Sequence, residues 1–541
     1  MECYPRKPAR RPVHLLPAMG VCRAWRCAVQ ALFYRDAYLC TEGLAAKTDP
    51  YNAVMRVEDV AASGCQQHLR TLYVGIDVMH FSQPWDELPQ TLASAVRALG
   101  RLPAVRSGLF AFCIASAPAD KAFSRRRIAD NFDAFLGALY EAAPNMRRVD
   151  IHTETRLQLA APMRSAVNQV YNATHKFIRA QTTYVSLYHL GSEDYLFTAP
   201  PVDTLRSIVL SPWAAVGESL ELVRRSAESL ERLHLEQPKH AAFSSLITEG
   251  GDPGRTRVYP RLKHLYIGWF SDSRGADFAL PPENPFPRLE TLACKGSYPL
   301  GALLLLQDDA RARIRHLGMQ ADGALLKVLH SSSAVEEGAL ASLDYIALRL
   351  ASHSAADTPA NADRLFPRVF ALGRRVRTVC FRHMQFRRFA KALEATRFPD
   401  TLRRLDLGFS FLTIDQAIAL LCACPGAVKV GLSLKDVAGA RGRGMPAPGV
   451  IAKYRETYRS HRAAVPHIGL VALVFPSPRR GAEFVVLLAD ILRCITRVTI
   501  PADCPYSGPS VLKEIHAARR RPEYRDSPHL DGVRFAIESC W

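Results

Sequence analysis

Seventeen histidines and thirteen cysteines are the residues of this 541-residue chain best suited to metal or nucleophilic chemistry. Their spacing argues against both. No C-x-x-C pair occurs, and the closest cysteines, Cys422 and Cys424, have no second cluster to complete a tetrahedral zinc site. There is no G-x-S-x-G elbow, no H-E-x-x-H helix, no kinase set and no G-x-G-x-x-G between a strand and a helix. The basic stretch Gly439-Ala440-Arg441-Gly442-Arg443-Gly444 runs into Met445-Pro446-Ala447-Pro448, where a phosphate loop needs Lys-Ser/Thr and a helix. We therefore expect no catalytic centre, metal or cofactor. The chemistry left is non-covalent recognition. His234, Tyr266, His316, Tyr345, Arg382, Arg404 and Asp406 each stand between or just beyond buried apolar positions, and Tyr and Arg are favoured at interface centres.

Those side chains need a frame, and the clearest piece of it is Leu402 to Leu434. Leu402, Leu405 and Leu407 have the spacing L-x-x-L-x-L, whose last part alternates as a strand does. Thr413 and Gln416 form a capping box ahead of a helix with Ile414, Ala417, Ile418 and Leu421 on one stripe. A second strand follows at Val428 to Leu432. One such unit cannot bury its own apolar face, so neighbours of the same kind must exist.

They do. The spacing returns, with conservative replacements, from Leu69, Met146, Leu205, Leu230, Leu262, Leu289, Ile314, Leu343, Val376, Leu402, Ile495 and Leu530. From Leu205 to Leu402 the copies start 25 to 33 residues apart. This is the repeat signal of a leucine-rich-repeat-like α/β solenoid over residues 46–541, a curved parallel sheet with outer helices. The residues between the leucines would line its concave face. Breaks are expected at Gly250–Gly254, Pro281–Pro285, Ala351–Asp363 and Gly439–Gly449. Regular leucine-rich repeats close the turn with Asn or Cys three residues after the third leucine. Here that position holds Ser410, Ser297, Pro238 or Phe270, which predicts turns closed one by one.

Residues 1–45 read differently. Val21, Trp25, Ala28, Val29 and Leu32 form a short helical stripe ending in Phe33-Tyr34. The segment V-C-R-x-W-R-x-x-x-x-x-L-F-Y-R resembles the C-terminal half of an F-box, a motif often followed by leucine-rich repeats. The first half has no counterpart, since Pro5, Pro8, Pro12 and Pro17 disfavour a helix there. The resemblance implies that Leu16, Pro17, Val21, Cys22 and Trp25 dock a Skp-type adaptor of a cullin ubiquitin ligase. The repeat face would then hold a substrate protein. A repeat scaffold with no ligase link is the alternative.

Net charge is 70 − 51 = +19, carried mostly by arginines scattered along the chain. A solvated basic surface is the plain reading, and nucleic-acid binding the alternative. No apolar run approaches the ~18 residues of a membrane span, and the basic start lacks the apolar core of a secretory signal. Reduced thiols in cytoplasm or nucleus are expected.

Overall fold

Leu402, Leu405 and Leu407, at most 1% exposed, flank and enter a strand that opens at Arg404. The same three buried positions, two residues before the opening residue and one and three after it, recur through the chain. The computed structural model describes residues 17, 19–40, 55–77, 88–114, 125–155, 178, 180–190, 204–211, 217–250, 252–268, 283–297, 312–321, 340–350, 359–382, 386, 388–424, 427–435, 452, 455–457, 465–474, 477–501, 508–525 and 527–538. The chain divides into two units, Met1–Pro287 and Arg288–Trp541.

In the first unit, helix α1 (Arg23–Phe33) leads into strands β1 (Asp36–Cys40) and β2 (Met55–Arg56), then α2 (Val57–Ala62) and β3 (Thr71–Asp77). Next come α3 (Leu88–Leu99), β4 (Ser107–Ile114), α4 (Arg125–Ala142), β5 (Arg148–Thr155), β6 (Tyr184–Leu190) and β7 (Ser207–Leu210). The unit ends with α5 (Gly217–Arg225), β8 (Arg232–Leu235), α6 (His240–Ile247), the hairpin β9 (Thr248–Glu249) with β10 (Asp252–Thr256), and β11 (His264–Ile267). The parallel sheet runs β2–β1–β3–β4–β5–β6–β7–β8–β11.

The second unit holds β12 (Thr291–Ser297), β13 (His316–Ala321), β14 (Tyr345–Leu350), α7 (Pro359–Leu372), β15 (Thr378–Arg382), α8 (Phe389–Glu394) and β16 (Arg404–Leu412). There follow α9 (Ile414–Ala423), β17 (Lys429–Lys435), β18 (His467–Val474), α10 (Pro478–Ile491), β19 (Arg497–Pro501), α11 (Gly508–Arg519) and β20 (Arg534–Glu538). All its strands pair in parallel and in chain order. Sequential parallel strands with leucines facing inward, and helices between several of them, make both units leucine-rich-repeat-like solenoids. Helix α9 packs on β16 and β17, and α11 on β19 and β20, so the apolar rows lie between sheet and helices.

What keeps the strands in phase is a tie at their opening ends. In most repeats two successive N–H groups donate to one carbonyl of the previous repeat. Arg147 and Arg148 both reach Arg106 O, at 2.9 and 3.0 Å, and Arg403 and Arg404 both reach Arg377 O, at 2.8 and 2.9 Å. Three residues before the strand, a side chain often adds a second tie. Asn145 donates to Pro103 O at 2.9 Å, Gln181 to Pro144 O at 3.0 Å, Ser229 to Leu205 O at 2.7 Å and Ser342 to Ala312 O at 2.7 Å. Thr204, Thr401 and Cys494 do the same toward Ala180, Val376 and Val465. The recurrent tie is thus at the opposite end from the one sought after the third leucine.

Local chemistry explains the helices. Thr413 Oγ1 accepts from Gln416 N at 3.2 Å while Gln416 Oε1 accepts from Thr413 N at 3.0 Å, the expected capping box. Helix α10 starts on Pro478 after Ser477, whose hydroxyl accepts from Arg480 N. It buries two acids a double turn apart. Asp490 is held by Arg455 Nε at 2.6 Å and by Ser527 Oγ at 2.5 Å; Glu483 is held by Arg521 at 2.7 Å and Arg479 at 3.3 Å.

Several expectations need correction. The break over Gly250–Gly254 is in large part the β9–β10 hairpin, and the one over Ala351–Asp363 runs into α7, which begins at Pro359. Gly439–Gly449 lies outside the described residues. Arg382 closes β15 rather than lying past it. The last motif copy, from Leu530, is two residues out of phase: register pairs Phe535, not Val533, with Val498.

Candidate functional site

Alternation leaves one face of each sheet clear of the leucine rows, and on that face the opening residues of successive strands stand side by side. In the second unit His316, Tyr345, Thr378, Arg404, Lys429, His467, Arg497 and Arg534 form one such row. Two residues along each strand the row becomes small, with Gly318, Ala347, Cys380, Asp406, Gly431 and Gly469. Side chains of the first row therefore lean over a shallow second one.

Five of the seven predicted partner residues belong to this unit. His316 and Tyr345 sit on neighbouring strands with ring centroids 6.1 Å apart. Tyr345 is hydrogen-bonded to Cys380, and burial first, then Cys380, pushes its hydroxyl up to about 12. Burial first, then the Asp406 charge, pushes the Cys380 thiol up to about 11. Both groups stay protonated near neutrality, so they act as a donor and a polarizable surface, not as nucleophiles. Arg404 Nη2 lies 3.7 Å from Asp406, whose Oδ1 accepts from Gly408 N at 2.9 Å. Asp406 is only 8% exposed, so its carboxylate orients Arg404 more than it offers itself. Arg382 is exposed at the far end of β15, beside Arg349.

His234 and Tyr266 belong to the first unit. They are register partners on β8 and β11, with ring centroids 5.6 Å apart. His234 is 6% exposed and its Nε2 lies 3.9 Å from Glu236, so Tyr266 is the more accessible of the two. The seven residues thus form two groups, one in each unit.

The first unit holds a denser cluster. Arg148 forks onto Asp150 at 2.7 and 3.2 Å, and its guanidinium lies 4.0 Å over the Tyr184 ring. Burial raises the Asp150 carboxyl, and burial followed by Asp36 and Asp150 pushes Tyr73 up to about 12. Tyr184 was missed because its repeat begins with a polar residue, Thr182, which is fully buried.

Of the predicted adaptor residues, Trp25 lies on α1, Cys22 is its N-cap, and Val21 and Pro17 precede it. Leu16 lies outside the described residues. Pro17 and Cys22 are exposed, Val21 is 69% and Trp25 56% exposed, and Leu32 extends the stripe at 53%. Only Val29 of the helix is buried.

No family model and no curated protein matches the chain. Among solved structures, a leucine-rich repeat-containing protein from Legionella pneumophila is similar at 9% identity, over 83% of this chain and 99% of that one, with a TM-score of 0.24. The repeat fold rests on the strand register and the buried rows. Among the described residues, no group of three or more His, Cys, Asp or Glu could hold a metal ion, and no helix is long and apolar enough to cross a membrane.

Proposed function

We propose that this chain is a non-catalytic recognition protein that holds a partner protein on the open faces of its sheets. The observation that carries this is the contiguous set His316, Tyr345, Cys380, Asp406 and Arg404 across β13 to β16, fixed by register and mutual bonds before any partner arrives. A surface ordered in advance loses less freedom on binding. Replacing His316, Tyr345 and Arg382 by alanine should abolish recovery of the co-purifying partner while the circular dichroism spectrum is kept. Undiminished recovery by that variant overturns the reading. Tyr266→Ala tests the first unit in the same way.

The finer reading is that the partner is the substrate of a cullin ubiquitin ligase, with α1 docking the Skp-type adaptor. Its support is the V-C-R-x-W-R segment and the exposed apolar residues Val21, just ahead of α1, and Trp25 and Leu32 on it, an arrangement typical of interaction sites. A purified Skp-type adaptor should bind the chain and lose binding to Val21→Asp/Trp25→Ala. If the unaltered chain fails to bind, the ligase link falls and a repeat scaffold remains. Cytoplasm and nucleus, where such ligases act, are the compartments this reading requires.

A further inference from the structure

One repeat position carries a charge pattern that partner recognition on the open face does not use. The residue just before each strand's opening residue is Arg35 at β1, Arg70 at β3, Arg106 at β4 and Arg147 at β5, and all four are exposed. These strands are successive neighbours in register, so the row steps about 4.8 Å at a time and spans about 14 Å. The carbonyls of all four receive the paired N–H bonds of the next strand, which fixes the spacing of their Cα atoms. Arg70 and Arg106 also bond backbone carbonyls, of Ala104 and Pro103. Among the described residues, no carboxylate forms an ion pair with any of the four.

The rest of the fold shows that this position is not bound to be unbalanced. Two repeats further on, Arg206 is paired with Glu231 at 3.7 Å. In the second unit the same position reads Glu290, Arg315, Asp344, Arg377 and Arg403, with Arg377 at 3.4 Å from Asp344. Like charges in register on adjacent strands repel. Four arginines in a row, unrelieved from within, are complementary to an external polyanion.

We propose that the Arg35–Arg70–Arg106–Arg147 row binds the phosphate backbone of single-stranded nucleic acid. A guanidinium fork matches a phosphate oxygen pair. A nucleic-acid strand presents one charge per residue whatever its sequence. An extended peptide turns alternate side chains away, so its carboxylates fit a one-per-strand row less well. The open face beside the row offers surfaces on which bases stack, the half-buried Tyr73 ring and the Arg148 guanidinium lying over Tyr184.

The test uses the full-length chain and labelled oligouridylate and oligothymidylate, followed by anisotropy across a salt series. Single-stranded binding loses about 0.7 in log–log slope per phosphate neutralised, so four contacts make binding about 50-fold weaker between about 50 and 200 mM salt. Arg35/Arg70/Arg106/Arg147→Gln should flatten that slope by about 3, and Arg106→Gln alone by about 0.7. Arg315/Arg377/Arg403→Gln, on the balanced row of the second unit, should leave it unchanged. The quadruple variant should keep its circular dichroism spectrum, because all four side chains are exposed and it removes, besides like charges, just the Arg70 and Arg106 bonds to backbone carbonyls. An unaltered slope in both the quadruple and the single variant overturns the proposal. So does polyglutamate binding through the same arginines when neither oligonucleotide binds, which would assign the row to an acidic protein.

Discussion

Gly431 and Asp406 lie side by side on β17 and β16, and replacing the glycine by alanine tests how tightly the open face is built. A Cβ on Gly431 would stand 2.7 Å from Asp406 Oδ1, 3.0 Å from its Cγ and 3.4 Å from its Cα. The carboxylate cannot swing aside freely, because Oδ1 accepts from Gly408 N at 2.9 Å and the group is 8% exposed. If the carboxylate stays, overpacking of this kind costs about 1–3 kcal/mol; if it moves instead, losing the Gly408 bond costs a similar amount. Against it, alanine in a strand gains roughly 0.5–1 kcal/mol over glycine. The net expectation for Gly431→Ala is a loss of about 1–2 kcal/mol, read as a lower urea midpoint at unchanged slope. In an Asp406→Ala background the obstacle is gone, and the same substitution should be neutral or stabilising by roughly 0.5–1 kcal/mol. Equal loss in both backgrounds would refute the reasoning, since the cost would then not come from the carboxylate.

Three further outcomes are expected. Leu405→Asp puts a charge at a fully buried point between β16 and the helix layer, where an unpaired carboxylate costs several kcal/mol, and soluble folding should fail; soluble protein with an unchanged spectrum would contradict the repeat assignment. Asp490→Ala removes the carboxylate that accepts from Arg455 Nε and from the buried Ser527 hydroxyl, and because Arg455 is 36% exposed and keeps a 3.3 Å bond to Ser527 the loss should sit near the low end, about 3 kcal/mol, with Asp490→Asn recovering part of it in thermal denaturation. Stability should fall in alkali: burial holds Cys294 at about 12, Cys380 at about 11 and Tyr345 at about 12, above their usual values, so the native chain keeps protons that the unfolded chain releases. That contribution is complete below pH 9 and is lost as pH rises from there toward 12, about 1 kcal/mol per buried thiol by pH 10. An unchanged melting temperature between pH 8 and about pH 10.5 would count against these shifts.

The sequence disclosed what hydrophobic spacing can disclose. Leu402, Leu405 and Leu407 mark their strand because burial demands an apolar side chain at each, and Thr413 with Gln416 marks its helix because the capping bonds are local. Strand β6 escaped notice because Thr182 fills the first buried position. The motif at Leu530 misled by two residues because its apolar residues continue beyond the strand phase: Leu530 is buried in a short turn ahead of β20. The tie at the opening ends was invisible for another reason. Asn145, Gln181, Thr204, Ser229 and Cys494 share a role, donating to a carbonyl, yet differ in type, so no single letter recurs. Alternation places the candidate residues on the face away from the leucine rows but says nothing of their accessibility. His234 and Asp406 are polar residues on that face that their neighbours cover, and single-chain spacing carries no information on such cover.

The opening-end ties also settle where this chain can change length. Each strand is indexed where it begins, so residues added after it ends do not shift its phase against the next. Closing a longer loop costs only about 0.6 kcal/mol per doubling. That is how copies starting 25 to 33 residues apart still stack opening residue on opening residue. The final strand shows the converse. Arg534 N alone reaches Thr496 O, while Val533 N turns back to Leu530 O, and Asp531, three residues before the strand, faces Arg519 instead of the previous repeat. Where half of the index is missing, the leucine motif and the strand part company by two residues. Insertions should therefore be absorbed silently behind the strands and disturb the stack in front of them.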